Sequence, residues 1–281
     1  MTLESIIKRD FIKFYIPSER ALAIETMKKN DISELIVLKE GTDTFLGIIK
    51  INDILSKPEE EQLALIMKRE VPVINKKDSI EKAISFFLSG DYSYLPVVED
   101  SNVIGIIALN EMLPLINKKY KIKKSISEFV DHNYFMSVWK NTPIYVASKI
   151  MLNFKVSFLA VLDDEGNFLG LLDTTDMIQA GEIISGITES DATKGESGDD
   201  WDWNWKSSVL IGTSNFYIPN KPVSNYIKKG YSTINQNLSI SQTIDAFQKD
   251  GTRYTAVVRG NNSLIGILRD IDILKAFKDI I

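Results

Sequence analysis

Apolar and polar positions follow one pattern four times along the 281-residue chain: an apolar run, a glycine, two or three more apolar residues, then an acid. The copies read "FLGIIKINDIL", "VIGIIALNEML", "FLGLLDTTDMI" and "LIGILRDIDIL", with glycines at Gly47, Gly105, Gly170 and Gly266. Successive glycines are 58, 65 and 96 residues apart, so the last interval holds an insertion. Ahead of each glycine the same elements recur in order. A leading strand comes first, as in "VPVI" from Val71 or "YSTI" from Tyr231. A capped helix follows: Asp78 with Glu81 and Ser239 with Gln242 have capping-box spacing, and Thr142 precedes Pro143 at the first helical position. Two short β-rich runs joined by turn residues come next, and the acidic motif opens a second helix. Each unit is therefore predicted as β-α-β-β-α.

One such unit has too few strands to bury a core alone, so the units are expected to pack as two tandem pairs in an α/β (α+β) protein. Residues 1–120 form the first predicted pair and residues 121–281 the second. The boundary falls at "KKYKIKK", Lys118 to Lys124, with five lysines in seven residues. This run reads as a solvated linker, with a docking patch for an acidic or RNA-containing partner as the alternative. The insertion spans about 181–221. Its stretch "TESDATKGESGDD" is small, polar and acidic and reads as a flexible loop. "SVLIG" and "NFYIP" read as two strands around the turn "GTSN", a small β-appendage on the second pair. Between these parts Trp201, Trp203 and Trp205 alternate with Asp202 and Asn204, so an extended chain puts three rings on one face. Burying each is worth about 2–3 kcal/mol, so they are expected to cover something. That is their own pair or a dimer seam, a partner that uses them as anchors, or a ligand cleft.

Composition narrows the chemistry. With 44% hydrophobic and 25% charged residues the chain reads as globular, and no apolar run approaches the roughly 18 residues that span a bilayer. Charges break the N-terminal stretch every few residues, unlike a signal peptide, so a cytoplasmic location is expected. There is no cysteine and one histidine, His132, which excludes thiolate catalysis, disulfides and almost every zinc set. His132 beside Asp131 reads as a polar loop residue, and no nucleophile elbow or Gly-rich phosphate loop accompanies it. No catalytic residue and no metal site is expected. A net charge of −5 argues against a general affinity for nucleic acid. Trp139, in a leading strand, is expected to fill core beneath the third cleft, with adenine stacking as the alternative.

The four motifs in register, with the same flanking elements, resemble the cystathionine-β-synthase (CBS) domain, here as four repeats in two tandem pairs. That resemblance implies discs with clefts between repeats, which commonly hold AMP, ADP, ATP or S-adenosylmethionine as a regulatory ligand rather than a required cofactor. It also implies assembly as a homodimer of discs. The family motif is Gly, two apolar residues, Ser or Thr, two residues, then Asp. Its Asp accepts from both ribose hydroxyls, and its hydroxyl and helix N-terminus face phosphate. By resemblance the ribose role falls to Asp53, Asp176 and Asp272, with Glu111 in the second copy. The hydroxyl position holds Lys50, Ala108, Asp173 and Arg269. Lys50 and Arg269 are cations that suit phosphate, and Asp173 would repel it. The first and fourth copies are thus the expected nucleotide sites, the third suits neutral adenosine, and the second is expected to be empty. An acid in a helix's first turn also stabilises it by about 0.3–1 kcal/mol, so a purely structural role stays open. The expectation is a non-enzymatic sensor signalling to a separate effector protein. The alternative is a docking protein with degenerate clefts, holding a ribosome or another ribonucleoprotein.

Overall fold

The computed structural model describes residues 3–58, 60–90, 92–120, 122, 124–130, 135–191, 208–227, 233–250, 253–260 and 263–277. His132 and the three tryptophans of the insertion lie outside them. The first repeat comprises β1 (Lys13–Ile16), α1 (Arg20–Asn30), β2 (Glu34–Lys39), β3 (Phe45–Lys50) and α2 (Ile51–Ser56). A single turn, α3 (Leu63–Ile66), leads into the second: α4 (Ile80–Ser89), β4 (Tyr94–Glu99), β5 (Asn102–Ala108) and α5 (Leu109–Tyr120). The third holds β6 (Ser137–Trp139), α6 (Ile144–Phe154), β7 (Phe158–Leu162), β8 (Phe168–Asp173) and α7 (Thr174–Ala180). After β9 (Glu182–Asp191) and β10 (Ser208–Tyr217), the fourth holds β11 (Thr233–Asn235), α8 (Ile240–Asp250), β12 (Tyr254–Val258), β13 (Leu264–Arg269) and α9 (Asp270–Lys275).

In the first, third and fourth repeats the leading strand pairs parallel to the middle strand, which pairs antiparallel to the last. The four hairpins share one register: Glu34 faces Lys50, Tyr94 faces Ala108, Phe158 faces Asp173 and Tyr254 faces Arg269. All four break register at the same place, after Val37, Val97, Val161 and Val257, each opposite the motif glycine. In the second repeat the expected leading strand is reduced to one parallel bridge, Ile74 to Val97. Pro72 and Pro96 each lack an N–H, which removes two of the donors a longer ladder would use.

Helix starts follow the expected capping chemistry with local shifts. Ser239 and Gln242 exchange hydrogen bonds as a capping box. At α4 the cap is Ser79, whose Oγ accepts from Lys82 N; Asp78 instead holds Asn75 N and Lys82 Nζ. Pro143 sits at the cap rather than inside α6. The lysine run is not all linker, since Lys118 and Lys119 end α5 and Lys119 pairs with Glu81 of α4 at 2.5 Å.

Within each pair the sheets meet. Ile36, Leu38 and Ile48 pack with Val103 and Ile106 in one pair, and Ala160, Phe168 and Leu171 pack with Ala256 and Ile267 in the other. The two pairs then join through helices of the same chain. Phe87, Met112 and Ile116 share a core with Ile244, Phe247 and Phe277, while α1 and α2 pack against α7 and α6. The repeats thus form a closed ring in the order first, second, fourth, third.

The insertion is a single antiparallel hairpin. Glu182 pairs with Tyr217 and Asp191 with Ser208, so "GTSN" is not a turn between two strands but the middle of β10. There Thr213 faces Gly186 and Ser214 faces Ser185, small residues on both sides of the ladder. Thr188–Asp191, expected in a loop, belong to β9; the remainder of that stretch lies outside the described residues. At the hairpin's base the ring of Phe216 covers Gly181 so closely that a Cβ there would clash.

Candidate functional site

Each motif acid stands in the first turn of the helix that follows the motif strand. The sheet register delivers them to equivalent places, yet their surroundings differ. Asp53 has one oxygen 3.1 Å from Lys68 Nζ, while Oδ2 is buried with no hydrogen-bond partner among the described residues. Its side chain is 22% exposed, so the residue is not sealed in core. Glu111 is half-buried and pairs with Lys8 at 2.7 Å.

Asp176 is only 3% exposed. Its Oδ2 accepts from Asp173 N at 2.9 Å, and Asp173 Oδ1 accepts from Thr175 N and Asp176 N, a reciprocal cap that closes the helix end on itself. Asp173 Oδ2 also accepts from the Tyr254 hydroxyl of the fourth repeat, whose ring lies 5.0 Å from Phe158. The third motif is thus an internal fastening, and its acid does not line an open cleft.

Asp272 is held by a two-point contact with Arg269, Nε to Oδ2 and Nη2 to Oδ1 both at 2.8 Å, and by Lys275 at 3.1 Å. Burial acts to raise its pKa, but the hydrogen bonds and charges of Arg269 and Lys275 outweigh it and hold the carboxyl below its ordinary value. Arg269, expected on phosphate, is therefore turned onto its own motif acid. Lys50, the other expected phosphate cation, lies 3.3 Å from Glu34 Oε1. Ala108 brings no polar group.

Four residues not singled out in the sequence tie the first, second and fourth repeats together. Glu34 of the first accepts from the Ser93 hydroxyl of the second, and Ser93 accepts from Arg253 Nη1 of the fourth. Arg253 in turn donates to buried Asp270 at 3.1 Å. Ser93 and Arg253 occupy the same position, one residue before the middle strand, and a search of that position across repeats would have found them. Lys8 and Lys68 also had a signal, the near-identical "IIKRD" and "IMKRE" ahead of the first two repeats. In the structure these segments cross over: Lys8 bridges Ile106 and Lys68 bridges Ile48, each beside the other repeat's motif glycine. A Cβ on Gly105 or Gly47 would strike them, which explains the glycines by close approach.

Trp139 does not fill core. Val138 faces inward on the edge strand β6, so Trp139 points out, 51% exposed, with Nε1 donating to Asp164 at 2.8 Å. An open groove of about 580 Å³ between the first two repeats is lined by Arg9, Phe11, Lys13, Asp43 and Asn102, and no motif acid lines it. Among the described residues no cluster of His, Cys, Asp or Glu is arranged to hold a metal, and no helix is long and apolar enough to cross a membrane.

Comparison with known proteins agrees with this architecture. A Methanocaldococcus jannaschii protein, MJ1225, described as a proposed archaeal homologue of g-AMPK, matches with a TM-score of 0.75 at 18% identity, over 99% of this chain and 100% of that one. An uncharacterised conserved protein from Pyrococcus horikoshii matches with a TM-score of 0.61 at 22% identity, over 98% and 99% of the two chains. Both likenesses are of fold. The CBS domain model matches residues 62–118, 126–182 and 223–279, well over half of the sequence, with the first repeat outside the matched segments. The chain belongs to the CBS domain family.

Proposed function

We propose that this protein is a non-enzymatic sensor that binds an adenosyl ligand at its first repeat and passes the bound state to a separate effector protein. Residues 13–56 act in this reading as a further CBS repeat, since their element order, register and bulge match the other three. The observation that carries the reading is the unpartnered Oδ2 of Asp53. A buried acceptor without a donor is costly, and the ribose hydroxyls would satisfy it while Lys68 stays on Oδ1. Asp176 and Asp272 are occupied within the protein and serve as helix fastenings, and Glu111 is screened by Lys8. AMP, ADP, ATP and S-adenosylmethionine are the candidate ligands. Residues 1–120 and 121–281 are the two pairs of the disc, and a homodimer is one form in which the signal is read.

Thermal unfolding with and without each candidate tests this. A ligand that binds only the folded state raises its stability by RT ln(1 + [L]/Kd), about 2.7 kcal/mol at a hundredfold excess over Kd. A rise in Tm is expected for the native chain and none for Asp53→Asn. No rise for any of the four at millimolar concentration would overturn the reading. It would favour a docking protein for a large partner such as a ribonucleoprotein, a role that the occupied Asp176 and Asp272 support and that would use Trp201, Trp203 and Trp205.

A further inference from the structure

Resting on that reading, we infer that the first repeat selects an adenosyl ligand whose 5′ substituent is neutral or positively charged and donates hydrogen bonds, and that Glu34 sets this selection against phosphates. Lys50 stands where the family motif has a hydroxyl and would by itself recommend a phosphate. It is already neutralised. Its Nζ lies 3.3 Å from Glu34 Oε1, the two residues face each other across the β2–β3 ladder, and both are largely buried, 19% and 6% exposed.

The other cations nearby are matched in the same way: Lys68 by Asp53 at 3.1 Å and Arg253 by Asp270 at 3.1 Å. No surplus positive charge awaits a phosphate in this set. The unmet need is of the opposite kind. Glu34 Oε2 is buried and has no hydrogen-bond partner among the described residues, as is true of Asp53 Oδ2. Lys50 stands at the N-cap position of α2 and Asp53 lies in its first turn, so the pair with Glu34 sits within one helical turn of the ribose acceptor. A phosphate offers only acceptors at neutral pH and would face the Glu34 carboxylate. An ammonium or sulfonium group would supply the missing donor or charge.

The test is calorimetric titration of the full chain with adenosine, AMP and S-adenosylmethionine. Adenosine reports the ribose and base contacts alone, so a complete lack of binding by all three overturns the sensor reading and this inference with it. If binding occurs, S-adenosylmethionine should exceed AMP by about tenfold or more, the scale of one like charge near the ligand in a half-buried site. Glu34→Gln keeps an acceptor for Ser93 but removes the charge, and should shift the ratio about tenfold towards AMP. Lys50→Thr restores the motif hydroxyl and leaves Glu34 uncompensated, and should shift it the other way; it carries the test if Glu34→Gln does not fold. AMP binding more tightly than S-adenosylmethionine, with a ratio that neither variant moves, would overturn the inference while leaving the sensor reading intact.

Discussion

Asp53 and Asp176 hold the same motif position, and in the proposed function their different hydrogen bonding separates binding from fastening. Asp176 takes the backbone N–H of Asp173 inside a closed cap. Asp176→Ala leaves that buried donor unsatisfied and should cost about 1–3 kcal/mol in urea unfolding, with ligand affinity unchanged. Asp53→Asn removes only a half-exposed ion pair and should change stability by less than about 1 kcal/mol, while abolishing the ligand-induced rise in Tm. Equal stability losses in the two variants would contradict this division. The motif spacing made all four acids visible in the sequence, but not which of them is spoken for. Arg269 illustrates why: three residues before Asp272 on a helix start, it reaches its own acid more easily than a ligand, and only side-chain geometry reveals that choice.

At the scale of elements, α4 and α5 are clamped by Glu81 and Lys119. The hydrogen bond from Lys119 is the main cause that lowers the Glu81 pKa from 4.5 to about 2. Because the folded-state value is depressed, this contribution is complete above the unfolded carboxylate range and is lost as pH falls towards 2. Glu81→Gln should therefore flatten the acid limb of the stability profile between those limits, and NMR titration of the Glu81 carboxyl should show the low midpoint directly. Element order was legible because helices such as α4 and α8 carry cap residues at their starts and each hairpin carries its own glycine. Boundaries were less so where two competent residues adjoin, as with Asp78 and Ser79, since both side chains accept from nearby backbone N–H groups. The hairpin was misread for a related reason. Gly212 to Asn215 have turn chemistry, and only the presence of β9 opposite makes them strand.

Across the whole molecule, helical faces that a lone pair would offer to a second copy are used within the chain. Phe247, Ile244 and Phe277 lie against Phe87 and Met112, and Ile178 lies in the core of the first repeat. A fragment of residues 121–281 should expose those faces and self-associate, which light scattering after gel filtration would detect; a well-folded monomeric fragment would count against the ring. Pairing of units was readable from the sequence, because one unit cannot bury its sheet. The closure of both pairs into one disc was not, since identical apolar helix faces would serve a partner chain as well.

The crossed segments have a consequence for how such a chain is made. The stretch Leu3–Lys8 lies against Ile106 of the second repeat, and Ile66–Lys68 against Ile48 of the first. At about 5–20 residues per second of synthesis, Lys8 emerges some 5–20 s before the strand it pairs with exists. The nascent first repeat, by contrast, receives its own cover within seconds. On the ribosome Leu3–Lys8 should then still lack its partner strand after Ile66–Lys68 has reached the first repeat, so a pause placed between residues 70 and 106 would hold the chain with that apolar segment exposed.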